Sequence, residues 1–265
     1  MIHSIIKHKP TRLYIILGGF FIANALIAEI IGVKIFSLEK TLGLTPLDMN
    51  VFGNMLSLNL TAGVLLWPVI FVMTDIINEY YGKRGVRFLS FLTAGLIIFA
   101  FIIFYGAMRL VPADFFVTSK QGSGVPNMEI AYESILGQGS NIILGSLVAF
   151  IISQLIDVFI FHKIKKATGE RRIWLRATGS TLVSQFIDSF VVLFIAFYIG
   201  SRINSSEGDF EWPFSLFIAV GLVNYFYKFC VAIILTPVIY LAHNWIDRYL
   251  GQELADEMKE AAMQR

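Results

Sequence analysis

The sequence predicts an all-α integral membrane protein, a six-transmembrane-helix bundle with both termini in the cytoplasm. Three observations carry that expectation. The 265 residues are 56% hydrophobic and only 15% charged, where soluble domains run about a quarter charged. Apolar runs long enough to cross lipid recur from one end to the other, so the chain reads as one membrane domain over 1–265. Basic residues gather in alternate connections between those runs.

A bilayer core requires roughly 20 apolar residues per helix. Six segments qualify, at approximately 13–36, 55–78, 86–110, 142–161, 177–200 and 214–241. None alternates polar with apolar residues, which excludes barrel strands, and helices then satisfy the backbone in lipid. The first segment follows Lys7, Lys9 and Arg12, and its Ala23-Asn24-Ala25 has the form of a signal-peptidase site. Apolar residues nevertheless continue through Phe36, so a retained spanning helix is expected. The connection 111–141, with Pro112, Gly122, Gly124 and Pro126, reads as a solvated loop, and 201–213 as a shorter one. From Asp247 onward the tail is polar and reads as a short amphipathic helix.

Orientation follows from the basic residues. The N-terminus, the connection with Lys83, Arg84 and Arg87, the connection from Lys163 to Arg176, and the C-terminus hold fifteen Lys and Arg together, against five on the other side (Lys34, Lys40, Arg109, Lys120, Arg202). Both termini are therefore expected in the cytoplasm, with 111–141 and 201–213 outside.

Several function classes are excluded. A net charge of +2, with its basic residues in short loops, implies no nucleic-acid partner. The single Cys230 allows no intramolecular disulfide and no cysteine metal cluster. The four histidines, His3, His8, His162 and His243, fall at or beyond helix ends, so no metal site is expected in the membrane. No G-x-x-x-x-G-K, H-E-x-x-H or G-x-S-x-G occurs, so no enzyme, no catalytic residue and no cofactor is expected.

Polar groups inside the spans are the candidate site, because a charge in hydrocarbon costs from about 2.5 kcal/mol upward. The pentapeptide S-Q-[LF]-I-D occurs twice, 31 residues apart, as Ser153-Gln154 to Asp157 and Ser184-Gln185 to Asp188. In each copy Gln and Asp are three apart and share a helix face. The two spans run in opposite directions, so the copies meet head to tail, with Gln154 and Gln185 both about 12 Å deep at about 1.5 Å per residue. Ser146, Ser153, Ser180 and Thr181 read as helix-to-helix hydrogen bonds. In the last span Asn224 and Lys228 lie four apart, and Lys228 is too deep to reach the surface, which points to Asp188 as its anion. The second span ends TDIINEYYGKR, where Glu79 has Lys83 four residues on, whereas Asp75 and Asn78 have no such local partner. Asn24 and Glu29 add polar groups to the first span. Trp67, before Pro68, is placed mid-span, where an indole stacks on a flat ligand or packs between helices and Pro68 kinks the helix.

The stretches TDIINEYYGKR (74–84), SQLIDVFIFHKIKK (153–166), RATGSTLVSQFIDSFVVLFIAF (176–197) and VNYFYK (223–228) together resemble the queuosine precursor transporter family, a vitamin-uptake-transporter type. The resemblance covers the second span and everything from the fourth span on, and departs from the family pattern at Asn141, where relatives carry Arg. It implies six helices and uptake, across the bacterial inner membrane, of 7-deazaguanine precursors of queuosine, a modified tRNA nucleoside. It carries over Asp75, Asn78, Glu79, Gln154, Asp157, Gln185, Asp188, Asn224 and Lys228 as substrate-binding residues, with Trp67 as a candidate stacking group. A deazaguanine edge presents N1–H and NH2, which a carboxylate accepts as a fork while an amide reads the neighbouring carbonyl. Its expected partners are the small heterocyclic substrate and membrane lipid. A stand-alone carrier, a homodimer, the substrate-binding subunit of an energy-coupling-factor importer with borrowed ATPases, and a carrier of another small heterocycle all remain open.

Overall fold

The computed structural model of the chain describes residues 8–137, 140–169, 173–200 and 212–264. In chain order, helix α1 (Lys9–Ile31) leads into strand β1 (Ile35–Ser37) and the single-turn helix α2 (Leu38–Thr41). Strands β2 (Met49–Val51), β3 (Asn54–Leu56) and β4 (Asn59–Thr61) follow, then helix α3 (Trp67–Met108), short helices α4 (Asp114–Thr118) and α5 (Met128–Leu136), and helix α6 (Ser140–Thr168). Helix α7 (Ile173–Leu193) runs into a π-helical stretch (Phe194–Ile199), and α8 (Phe214–Leu250) and α9 (Gln252–Gln264) complete the fold. Among the described residues five helices, α1, α3, α6, α7 with its π extension, and α8, are long and apolar enough to cross a membrane. Large apolar side chains such as Phe20, Phe99, Phe159 and Ile234 point outward, as they must where the solvent is lipid.

Helix α3 has 42 residues, but Gly82 inside it adopts φ 68 and ψ −171. The contacts of α1 show what that break does. Tyr81 Oη donates to Pro10 O at 2.7 Å, and Gly63, just before α3, lies against the Ala28 carbonyl. The chain up to Gly82 is thus antiparallel to α1. Beyond the break, Tyr14 Oη donates to Gly85 O at 2.9 Å and Gly18 touches Leu89, so this part runs parallel to α1. The two halves of α3 therefore run in opposite directions, turning back at Gly82. Phe21 and Ala25 of α1 pack with Ile70, Ile77, Val86, Leu89 and Ile97 from both halves, and Phe150 of α6 closes the same core.

Helices α6 and α7 form the second structural pair. Gly145 lies against Ala196, Asp157 against Ser184 and Ile164 against Gly179, so they are antiparallel. A side chain at Gly145 would come within 3.1 Å of the Ala196 backbone nitrogen, and its absence lets the backbones approach. Helix α8 packs on α7, and the tail helix α9 packs on α3.

Several sequence expectations are corrected. The second spanning segment does not start at 55, because β3, β4 and a short 3-10 turn (Ala62–Leu65) occupy its first residues. The paired strands Ile35↔Thr61 through Ser37↔Asn59 draw both flanks into a small cap, and Phe36 belongs to β1 rather than to the first helix. Trp67 and Pro68 consequently open α3, where a proline is tolerated, and do not kink its middle. Helix α8 continues to Leu250, so Asp247 is helical and the amphipathic tail begins at Gln252. The 111–141 connection contains α4 and α5. His162 and His243 lie inside α6 and α8 and are buried. In the cap, Glu39 accepts from Leu58 N–H at 2.6 Å and from Ser37 Oγ at 2.9 Å. These bonds, the Leu58 one foremost, hold its carboxyl below the usual range. Lys7, Arg171, Arg172, Arg202 and Arg265 of the orientation argument, most of 201–213 and the side chain of Asn141 lie outside the described residues.

A Cβ at Gly82 would meet the Ala262 carbonyl of α9 at 2.8 Å, in addition to its positive φ. Gly82→Ala is therefore expected to destabilise the protein by about 1–3 kcal/mol from backbone strain alone. Thermal melting in detergent, with protease sensitivity of the tail as a second readout, checks this.

Candidate functional site

The antiparallel pairing of α6 and α7 brings the two S-Q-x-I-D copies together, and the first half of α3 lies across them. The result is a small buried cavity lined by Thr74 of α3, Gln154 and Asp157 of α6, and Thr181, Ser184 and Gln185 of α7, with Phe71 and Ser153 completing the wall. The side chains close on it until there is room for about one water. A second cavity of similar size adjoins it, sharing Phe71 and Thr181 and reaching Asp75 on one side and Ala232, Leu235 and Ile239 of α8 on the other. The Phe71 side chain thus stands between two compartments.

Few hydrogen bonds hold the polar groups. Ser184 Oγ donates to Asp157 Oδ1 at 3.3 Å, and Asn78 Nδ2 to Asp157 Oδ2 at 3.5 Å. Gln154 Nε2 donates to Thr74 Oγ1 at 3.5 Å. Both oxygens of Asp75, Asn78 Oδ1, Gln154 Oε1 and Gln185 Oε1 are buried without a partner among the described residues. Each such group costs about 1–3 kcal/mol, and proteins rarely leave several together. All are acceptors, so the arrangement is complementary to a ligand that is rich in N–H donors.

Charges nearby are handled in two ways. Glu79 is fully enclosed, yet Arg176 Nε and Nη2 reach its two oxygens at 3.0 and 2.7 Å, and Lys165 Nζ reaches Oε1 at 3.0 Å. All three side chains are at most 1% exposed. Arg176 Nη1 also donates to Gly169 O at 3.0 Å. Asp188 is paired with Lys228 at 2.5 Å. Asp75 and Asp157 have no cation within bonding reach among the described residues, although Asp75 feels the charges of Asp157, Glu79 and Arg176.

The sequence-predicted residues therefore divide. Asp75, Asn78, Gln154, Asp157 and Gln185 gather at the two compartments. Glu79 is not paired with Lys83 but belongs to the ion cluster one turn away. Asp188 faces Lys228 rather than the cavity of Gln154, Asp157 and Gln185, because α8 supplies a cation on that side. Asn224 Nδ2 donates back to Val220 O in its own helix at 3.0 Å. Trp67 packs on Phe71 and Phe150, with ring centroids 6.2 and 6.1 Å apart. Ser146 bonds Glu29 of α1, an interhelical link. Sequence reasoning missed Phe71 and Thr74 as lining groups, and read Lys165 and Arg176 as loop charges although Arg176 opens one of the motifs.

Residues 61–242 match the family model of a putative vitamin uptake transporter. The chain is 30% identical over 190 residues to the probable queuosine precursor transporter of Bacillus subtilis (strain 168), covering 71% of this chain and 74% of that protein. It is 26% identical over 211 residues to the queuosine precursor transporter of Escherichia coli (strain K12), covering 80% and 83%. A similar match, 26% over 206 residues, links it to the probable queuosine precursor transporter of Haemophilus influenzae (strain ATCC 51907 / DSM 11121 / KW20 / Rd), covering 74% and 72%. No solved structure matches. The residues matching the family model contain every site group from Phe71 to Lys228.

Removing one partner of a buried ion pair typically costs about 3–5 kcal/mol. Arg176→Ala or Glu79→Gln is thus expected to lower folded yield and melting temperature sharply. Lys83→Ala, at a half-buried position outside the cluster, should stay within about 0.5 kcal/mol of the parent. Melting of the three purified variants in one detergent compares them directly.

Proposed function

The chain belongs to the putative vitamin uptake transporter family, and from that premise we propose that it carries 7-deazaguanine precursors of queuosine across the bacterial inner membrane. The observation that carries the reading is the set of unpartnered acceptor oxygens on Asp75, Asn78, Gln154 and Gln185 around the paired cavities. A 7-deazaguanine is a flat base with donors at N1–H and the exocyclic NH2, and a carboxylate accepts both as a bidentate fork. Phe71, between the compartments, offers a ring face for stacking. The aminomethyl precursor adds an ammonium group suited to Asp157, whose partners Ser184 and Asn78 are neutral. The relatives in Bacillus subtilis and Escherichia coli are named for this substrate class. Entry requires Phe71 and its neighbours to move, which is the gating a carrier uses.

The membrane arrangement is part of the proposal. The turn at Gly82 divides α3 into two spans, giving six in a single membrane domain. The 15 residues from Trp67 to Tyr81 rise only about 22 Å, short of the roughly 30 Å hydrocarbon core. The non-helical residues before them, Leu60, Ala62, Gly63 and Val64, are buried in protein, as irregular backbone at membrane depth must be. Lys83, Arg84 and Arg87 beside the turn support a cytoplasmic position for it, together with both termini. In a variant lacking Cys230, cysteine at position 120 should react with an impermeant reagent in intact cells, and cysteine at position 166 should not. The reverse pattern inverts the orientation.

For the substrate, titration of purified protein with the aminomethyl 7-deazaguanine should give saturable binding. Asp157→Asn and Gln154→Leu should each weaken it by about tenfold or more, the lower part of the ~1–3 kcal/mol range for an unsatisfied polar group. Ser146→Ala, outside the cavity, should change it little. Unchanged affinity in both site variants, with melting intact, removes this site. Uptake by vesicles containing this protein alone separates a self-sufficient carrier from a subunit that needs ATPases.

A further inference from the structure

Among the acidic side chains of the described site, Asp75 is the one with no hydrogen bond to either oxygen, and it is 1% exposed. We propose that Asp75 is a proton-binding site whose proton moves inward with the substrate, so that uptake is proton-coupled. The inference rests on the carrier reading above.

The charges that face Asp75 from each packed element define the case. On its own helix, Glu79 lies one turn away. From α6 come Asp157 and, bound to Glu79, Lys165; from α7 comes Arg176. Helix α8 presents Ala232, Leu235 and Ile239. Of its charged groups, Lys228 is held by Asp188, and Asp247 by Tyr80 and Lys259; its titratable Cys230, Tyr240 and His243 flank these positions, His243 sharing a hydrogen bond with the Tyr80 hydroxyl at 3.2 Å. Three carboxylates thus share the buried group with two cations, and both cations are bonded to Glu79. One negative charge is left over, which the low-dielectric interior penalises heavily. A single proton removes it. Asp157 has Ser184 and Asn78 as donors, so Asp75 is the group for which the neutral acid is least costly.

A metal cation fits poorly. It needs a shell of several oxygens, and the compartment Asp75 faces adds only the hydroxyls of Thr178 and Thr181. Thr178 Oγ1 already shares a hydrogen bond with Thr236 Oγ1 at 2.9 Å. A proton needs one oxygen. The step balances simply: an O–H bond forms on the Asp75 carboxylate with a proton from the outer water, and breaks when the cavity opens to the cytoplasm. No electrons are transferred.

Two measurements test this. Infrared spectra of the purified protein at neutral pH should contain the C=O band of a buried carboxylic acid, which Asp75→Asn removes and Asp75→Glu retains at a shifted frequency. In vesicles, an inward gradient of one pH unit should raise accumulation of the aminomethyl 7-deazaguanine up to about tenfold for one proton per base, and a protonophore should abolish the rise. Asp75→Asn should give no gradient-driven accumulation, and Asp75→Glu should restore part of it. An unchanged spectrum in Asp75→Asn overturns the proton site. A wild-type accumulation indifferent to the gradient overturns the coupling while leaving the carrier intact. Vesicles that admit no base under any gradient, with the band present and assigned to Asp75, count against the substrate and in favour of the proton site.

Discussion

The arrangement of the site depends on one buried ion cluster. Glu79 of α3 receives Arg176 of α7 through two guanidinium nitrogens and Lys165 of α6 through a third contact. The consecutive helices α6 and α7 therefore meet the distant α3 at one carboxylate. Burying these charges carries a large desolvation cost, which only close geometry and saturated donors offset. The bidentate fork supplies the geometry, and the Gly169 carbonyl takes a further Arg176 donor. Sliding any of the three helices by a residue would leave charges unpaired. The cluster thus sets the register of α3 against α6 and α7, and with it the positions of Asp75 and Asn78 near the Gln–Asp motifs.

A second set of contacts fixes the same end of the bundle. Tyr80, beside Glu79, donates to Asp247 Oδ1 at 2.7 Å, and Lys259 of α9 reaches Asp247 at 2.9 Å. The tail helix is thereby tied to α8 and α3 together. Gly82 makes this arrangement sterically feasible, because the chain must reverse and admit the α9 backbone at the same position. One short stretch, Glu79 to Gly82, consequently supplies the ion cluster, the tail anchor and the turn.

The membrane class and the pairing of Asp188 with Lys228 were legible because each follows from a local count: apolar length, or depth along one helix. The site was legible in composition but less so in grouping. Asp75, Asn78, Gln154, Asp157 and Gln185 converge as their faces require. Glu79 was assigned to Lys83 by the i, i+4 rule, yet tertiary cations outcompete a side chain that can stay near solvent. The start of α3 was misplaced because residues 55–66 are as apolar as a span, while the pairing of β1 with β4 that consumes them is non-local. Phe71 left no signal, since one Phe among 24 reveals nothing of a cavity until the neighbouring helices are in place.

The two S-Q-x-I-D copies show how far a local motif determines a role. Both place Gln and Asp on one face, and the antiparallel pairing of α6 and α7 presents those faces to each other. The third helix then decides what each carboxylate does. Where α8 brings Lys228, Asp188 becomes a neutralised structural pair. Where α3 brings Asn78, Thr74 and an unbonded Asp75, Asp157 remains at a cavity with spare acceptor capacity around it. An inverted pair of motifs thus yields one ion-paired carboxylate and one carboxylate at a cavity. This asymmetry suits the proposed carrier: the acceptors left open at the cavity would give a donor-rich ligand a differential affinity, which is what shifts a conformational equilibrium.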